Sequence, residues 1–280
     1  MYSRRKFLHQ TGLATIGTIA SPILANSAQK NISKNAGVQL YSVRTEMLIN
    51  ALATLQMLAK IGYKQIESAR SEKGNYYGLS AKEIKSVTND LGLTLQSGHV
   101  HIDDQWQKSI EDAVIAGQQY LICSTMPTGG QTVDNYQRVA EKFNIAGDQC
   151  KAAGLKFGYH NHDYEFDTRE GQVLYDVLLN NTDPKLVHME LDLGWVVVTG
   201  NKPADYFARF PGRFPLWHLK DMLIDKRHST EFGKGQLDIA GVLQLAKQAG
   251  MQYYFVEQEE YEVNATQSLR HDFDYLHNLG

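Results

Sequence analysis

Val187-His188-Met189-Glu190-Leu191-Asp192-Leu193 is the stretch whose reading decides the fold. Side chains alternate between the two faces of a strand, so parity sorts this run into two sets. Val187, Met189, Leu191 and Leu193 are apolar and suit a layer of covering helices. His188, Glu190 and Asp192 fall on the other face. A row holding a histidine and two carboxylates inside a protein is costly unless its members are paired or bind an ion. The same division recurs nearby. Trp217 and Leu219 oppose His218 and Lys220, Tyr254 and Val256 oppose Phe255, Glu257 and Glu259, and Phe157 and Tyr159 oppose Gly158, His160 and His162.

Working outward, eight β-rich runs alternate with helical patterns. The strands are expected at Val38–Ser42, Gln65–Ser68, Thr94–Val100, Tyr120–Ser124, Lys156–His160, Val187–Asp192, Leu216–Lys220 and Tyr253–Glu257. Residues 45–61 carry Leu48, Leu52, Leu55, Leu58 and Ile61 at helical spacing. Ser80 with Glu83 reads as a capping box, Asp238 and Asn264 as N-caps. Gly62, Gly92, Gly154 and Gly250 each close a helical pattern. Eight such units make either an open doubly wound sheet or a closed barrel. No Gly-x-Gly-x-x-Gly or P-loop supports nucleotide binding at an open sheet. The polar residues cluster at the C-terminal ends of the strands, where a (β/α)8 TIM barrel places its active site. The expected fold is that barrel, as a single domain over residues 37–280.

Four inward-facing residues stand near the ends of four consecutive strands: His160, Asp192, His218 and Glu257. Two imidazoles and two carboxylates suit one divalent ion of the Mn²⁺, Co²⁺, Fe²⁺ or Zn²⁺ kind, with Mg²⁺ also admitted, better than Ca²⁺. Glu257, His162 and Lys220 are the candidates for catalysis, Lys220 as a cation that stabilises an enolate or binds a substrate oxygen. Glu67, His99, Tyr41 and Trp195 lie at strand ends where a substrate would bind, the last two offering ring faces for stacking. The glycine-bearing run from Phe232 to Leu237 is long enough for a flap.

The runs GYHNHDYEF (158–166), ELDLGW (190–195), HLKD (218–221) and FVEQE (255–259) give the chain a resemblance to the xylose-isomerase-like barrel superfamily. That group includes sugar phosphate isomerases and epimerases, inosose dehydratases and endonuclease-IV-type barrels. In its ketose epimerases the metal is held by Glu, Asp, His and Glu, which carries over to Asp192, His218 and Glu257 for the last three. His160 stands where that pattern has the first Glu. The two glutamates of those epimerases also form the acid–base pair, so Glu257 lacks its symmetric partner here, with His162 or Glu165 as substitutes. The resemblance implies a metal-dependent enzyme that removes a proton next to the carbonyl of a sugar or keto-sugar, by default an isomerase or epimerase. The His-Asn-His form resembles a subgroup linked to 3-keto-glycoside breakdown by β-elimination, which makes a lyase or hydrolase the alternative. A sugar-binding barrel without turnover is the alternative of another class.

Of the 280 residues, 42% are hydrophobic and 21% charged, an ordinary globular mixture that argues against disorder. Lys and Arg number 28 against 31 acids, so no basic excess points to nucleic acid or to the endonuclease branch. Cys123 and Cys150 cannot make a disulfide framework. Residues 1–27 combine Ser3-Arg4-Arg5-Lys6-Phe7-Leu8, a short apolar run and Ala25-Asn26-Ser27, the layout of an export signal. Its front resembles the twin-arginine type, with residues 28–36 as a linker. The expected destination is the periplasm, by way of the twin-arginine machinery, with a membrane tether if the signal is retained. Replacing Arg4 and Arg5 together with Lys is expected to leave the precursor in the cytoplasm, read by fractionation. Unimpaired export of that variant would remove the assignment.

Overall fold

The apolar half of the 187–193 run does what its parity requires: Val187, Met189 and Leu191 are fully buried in the layer between strands and helices. Apolar residues of the other strands are buried in the same way, with a register shift at Gln96 that brings Leu95 and Val100 into one layer despite their opposite parity. The barrel strands are Gly37–Gln39, Gln65–Ala69, Thr94–Val100, Tyr120–Cys123, Lys156–His160, Val187–Asp192, Leu216–Leu219 and Tyr253–Val256, seen in a computed structural model that describes residues 35–224 and 227–279. All neighbours are parallel, and Gly37 pairs with both Gln65 and Phe255 to close the ring. The single TIM barrel expected from the sequence is therefore the fold. The export signal expected over 1–27 lies outside the described residues, as does most of the 28–36 linker. No helix among the described residues is long and apolar enough to cross a membrane.

Inside the ring, Tyr120, Ile122, Leu216 and Phe255 form an apolar plug toward the N-terminal ends of the strands. The plug explains one glycine. A Cβ on Gly158 would stand 2.7 Å from Ile122 Cδ1 and 3.3 Å from the His188 carbonyl, so the strand passes close to the plug only without a side chain there. Above the plug, polar residues take over.

The caps match the local signals. Ser80 Oγ accepts from Glu83 N while Glu83 Oε2 accepts from Ser80 N. Asp238 and Asn264 cap the helices Ile239–Leu243 and Ala265–Asn278. Four strands end before the expected residue, the fourth by one position at Cys123. The first stops at Gln39, because the Gln39 side chain accepts from Tyr41 N at 3.0 Å and turns Leu40–Val43 into a 3-10 helix. The seventh and eighth end at Leu219 and Val256, leaving Lys220 and Glu257 on the first irregular positions beyond the sheet.

The expected flap is a fixed strap instead. Asp221 opens a short hairpin, Asp221–Met222 with Ser229–Thr230, and its carboxylate collects four backbone amides at 3.0 Å. Oδ1 accepts from Met222 N and Leu237 N, and Oδ2 accepts from Gly233 N and Gly235 N. Phe232 is buried, and its amide donates to Asp272 Oδ1 at 2.8 Å. Gly235 has no room for a Cβ, which would fall 2.2 Å from Asp221 Oδ1.

Hydrogen bonds to a charged acceptor contribute about 1.5–3 kcal/mol each, and stranded amides add a cost. Asp221→Ala is therefore expected to lower the unfolding free energy by at least about 3 kcal/mol in urea titration. Amide exchange at Gly233, Gly235 and Leu237 should accelerate in the same variant.

Candidate active site and metal centre

Asp192 shows how the sequence builds the site. It is the last residue of its strand and the N-cap of the helix Leu193–Val198, with Oδ1 accepting from Trp195 N at 2.9 Å. That bond leaves Oδ2 buried and without a hydrogen-bond partner. Oδ2 stands 3.9 Å from His160 Nε2, 4.0 Å from His218 Nδ1 and 3.3 Å from Lys220 Nζ. Glu257 Oε2 lies 2.9 Å from His218 Nδ1 and 3.0 Å from Lys220 Nζ. His160, Asp192, His218 and Glu257, separated by up to 97 positions in sequence, each offer a ligand atom within 4.8 Å of the others. The donor set and the orphaned Asp192 oxygen fit one divalent ion.

A second polar tier lies beneath. His99 Nε2 is 2.7 Å from Glu190 Oε2 and 3.1 Å from Glu67 Oε1. His218 Nε2 is 2.7 Å from Glu67 and 3.3 Å from Glu190, and Gln39 Nε2 donates to Glu67 at 2.7 Å. His99, His160, Glu190 and His218 make an overlapping group of potential ligands. Glu190 was not singled out from the sequence, although its parity with Asp192 was visible.

Above the cluster opens a cavity of about 280 Å³, near the lower end of the range of about 300–1,000 Å³ typical of small-molecule sites. Tyr41, His99, His162, Trp195, Lys220 and Glu257 are among its walls. Of the residues expected at a sugar, Glu67 is placed elsewhere. It is fully buried in the lower tier and touches the histidines, not the cavity. Arg70 and Glu259 also line the cavity and escaped the sequence reading. Glu259 shared the parity of Glu257, whereas Arg70 follows its strand and gave no periodic signal. Arg70 pairs with Asp103 at 2.5 Å and Glu259 with Lys220 at 2.5 Å.

Electrostatics assign protonation states. Burial disfavours the charged form of Lys220, yet Asp192, Glu257 and Glu259 outweigh it and hold the ammonium well above its ordinary value. The same ammonium lies 4.6 Å from the centre of the Trp195 ring. Burial and the nearby Lys220 depress His162 to about 4, so its imidazole is neutral at pH 7. Burial also raises Asp192, to about 6, against the pull of Lys220 and His218. For Glu257 the balance reverses, and Lys220 and His218 hold it well below the carboxylate range. His99 is pushed up to about 9, because Glu67 and Glu190 overcome its burial.

A closed parallel barrel with a buried His/Asp/Glu cluster at the C-terminal mouth is a scaffold of the enzyme type. The model of the xylose isomerase-like TIM barrel family matches residues 55–279, and the chain belongs to that family. A solved sugar phosphate isomerase/epimerase of Parabacteroides distasonis is 30% identical, with a TM-score of 0.77 over 86% of this chain and 97% of that one. An inosose dehydratase of Geobacillus kaustophilus is 29% identical over 202 residues, 61% of this chain and 62% of its own length. One from Lacticaseibacillus casei is 30% identical over 112 residues, 40% of this chain and 36% of its own. The chain thus spans between about a third and three fifths of these two curated relatives.

Behind His162, Glu165 is fully buried, accepting from His162 N at 2.9 Å and from the Tyr159 hydroxyl. Burial raises its carboxyl from 4.5 to about 7 despite both bonds. A carboxyl raised in the folded state adds stability that is complete below 4.5 and is lost as pH rises through 7. Glu165→Gln should therefore flatten the fall in unfolding free energy between pH 4.5 and 7 relative to the parent. Parallel curves for the two proteins would contradict the shift.

Proposed function

We propose that the chain is a metal-dependent lyase that removes a proton next to the carbonyl of a keto-sugar or keto-cyclitol and expels the β-oxygen substituent. The observation that carries this reading is the pairing, in one cavity wall, of a neutral imidazole at His162 with a permanent cation at Lys220. Two opposed free carboxylates are missing, because His160 occupies one position and Glu257 is bound to Lys220 and His218. An ion held by His160, Asp192, His218 and Glu257 would polarise the substrate carbonyl.

The residues divide the work as follows. His162 takes the α-proton, and the C–H electron pair moves toward the carbonyl to give an enolate. Lys220 stabilises the developing negative oxygen. As the enolate collapses, the β C–O bond breaks and a C=C bond forms beside the restored carbonyl. The leaving oxygen takes back the proton from His162, so a hydroxyl departs as water and a glycosidic oxygen as an alcohol. Tyr41 and Trp195 supply ring faces for the sugar. The inosose dehydratase relatives support this reading by their name, since dehydration of a keto-cyclitol is such an elimination. The Parabacteroides likeness favours a second reading, isomerisation or epimerisation through the same enolate.

Metal analysis of protein purified without chelator should find one divalent ion per chain, lost in His218→Ala and Asp192→Asn. With 3-keto-glycosides and keto-cyclitols, His162→Ala should lower kcat/KM by about 100-fold or more while the ion is retained. Rapid epimerisation of a free ketose with no elimination product would overturn the lyase reading. Export to the periplasm belongs to the same proposal, and fits uptake and breakdown of external glycosides.

A further inference from the structure

We propose that Glu67, Glu190 and His99 form a proton-holding tier that orients His160 and His218, fixing which ring nitrogens face the ion. The inference rests on the metal-dependent reading above and goes on to assign residues that do not touch the ion.

The two histidines each present one nitrogen upward and one downward. His160 Nε2 and His218 Nδ1 face Asp192, and Nδ1 of His218 also faces Glu257. The opposite nitrogens face carboxylates below: His160 Nδ1 lies 3.4 Å from Glu190, and His218 Nε2 lies 2.7 Å from Glu67. Metal-bound imidazoles commonly donate their far N–H to a carboxylate, which fixes the tautomer and raises ligand basicity. His99 completes the tier by bridging Glu190 and Glu67 at 2.7 and 3.1 Å. Its ring stacks on His218 with centroids 5.2 Å apart and planes 4° from parallel. Gln39 fixes Glu67 from the far side.

Ligand spacing fits both groups, since the lower one also holds separations of 3.3 and 3.4 Å; shared protons and an orphaned oxygen tell them apart. Bonds of about 2.0–2.2 Å put tetrahedral ligands roughly 3.4 Å apart. The upper contacts, from 2.9 to 4.0 Å, bracket that value. In the lower tier, the 2.7 Å separations of His99 from Glu190 and His218 from Glu67 are those of shared protons. The lower group thus shares protons at His99–Glu190 and His218–Glu67, and the orphaned Asp192 Oδ2 facing both histidines assigns the ion to the upper group.

The test uses full-length protein stripped of metal, titrated with Co²⁺ and Zn²⁺ in competition with a chromophoric chelator. The parent should take one ion. Glu67→Gln and Glu190→Gln should also take one, about 10- to 100-fold more weakly, with a shifted Co²⁺ d–d spectrum in protein whose folding is checked by circular dichroism. His99→Gln should keep one ion with a smaller loss. If either glutamate variant fails to fold without metal, the other and His99→Gln carry the test. Unchanged affinity and spectrum in the folded variants would overturn the tier. So would two ions in the parent, or loss of the ion in His99→Gln with retention in Asp192→Asn, since each puts an ion below. A parent that binds no ion refutes the metal-dependent reading itself, and the tier falls with it.

Discussion

The cost of placing carboxylates where water cannot reach them governs this barrel. Glu67, Glu190, Asp192 and Glu257 are all buried within one small volume, and like charges at such distances cannot all remain ionised unless compensated. The chain answers with His99 and Lys220, each held protonated by the carboxylates around it, and with His218 hydrogen-bonded to Glu67 and Glu257. The rest of the architecture serves that arrangement. Closing the ring brings residues from distant strands together, and the apolar plug supports them from below. Helices on the outside keep the inner faces free for polar side chains.

This arrangement explains why the site is legible in a single sequence to the extent that it is. Parity along a strand is a local property, and it correctly separated Val187, Met189 and Leu191 from Glu190 and Asp192. The barrel itself followed from the repetition of strands and caps, down to the Ser80–Glu83 box. What local patterns do not encode is depth. Glu67 and His99 have the same standing in sequence as His160, yet Glu67 ends beneath the histidines and away from the cavity. Layering depends on strand tilt and register, which emerge only when the ring closes. The strap at 232–237 was opaque for a related reason: glycines signal freedom in a sequence, whereas here they let backbone amides approach Asp221. Arg70 was missed because a loop residue carries no period.

The two tiers also give His160 a meaning beyond a departure from the related epimerases. An imidazole has two nitrogens on opposite edges, so one side chain can serve the upper cluster and turn its other nitrogen toward Glu190 below. A glutamate at that position would instead bring a fifth carboxylate into contact with Glu190 and Asp192. The change shifts the site from paired carboxylates toward neutral bases and fixed cations. Chemistry that needs a single proton carrier suits such an environment.

Asp192 is also a mechanical spacer. One of its oxygens holds the amide of Trp195, and the other faces the histidine pair. The indole on that same residue forms part of the cavity wall and covers the Lys220 ammonium. A single carboxylate thus acts as a gauge block between the floor of the cavity and an aromatic surface on its side. Its length sets how high a ring resting on Trp195 rides above the cluster. Altering that spacer by one methylene would move the platform and the floor apart together, leaving the composition of the site intact and its vertical scale wrong.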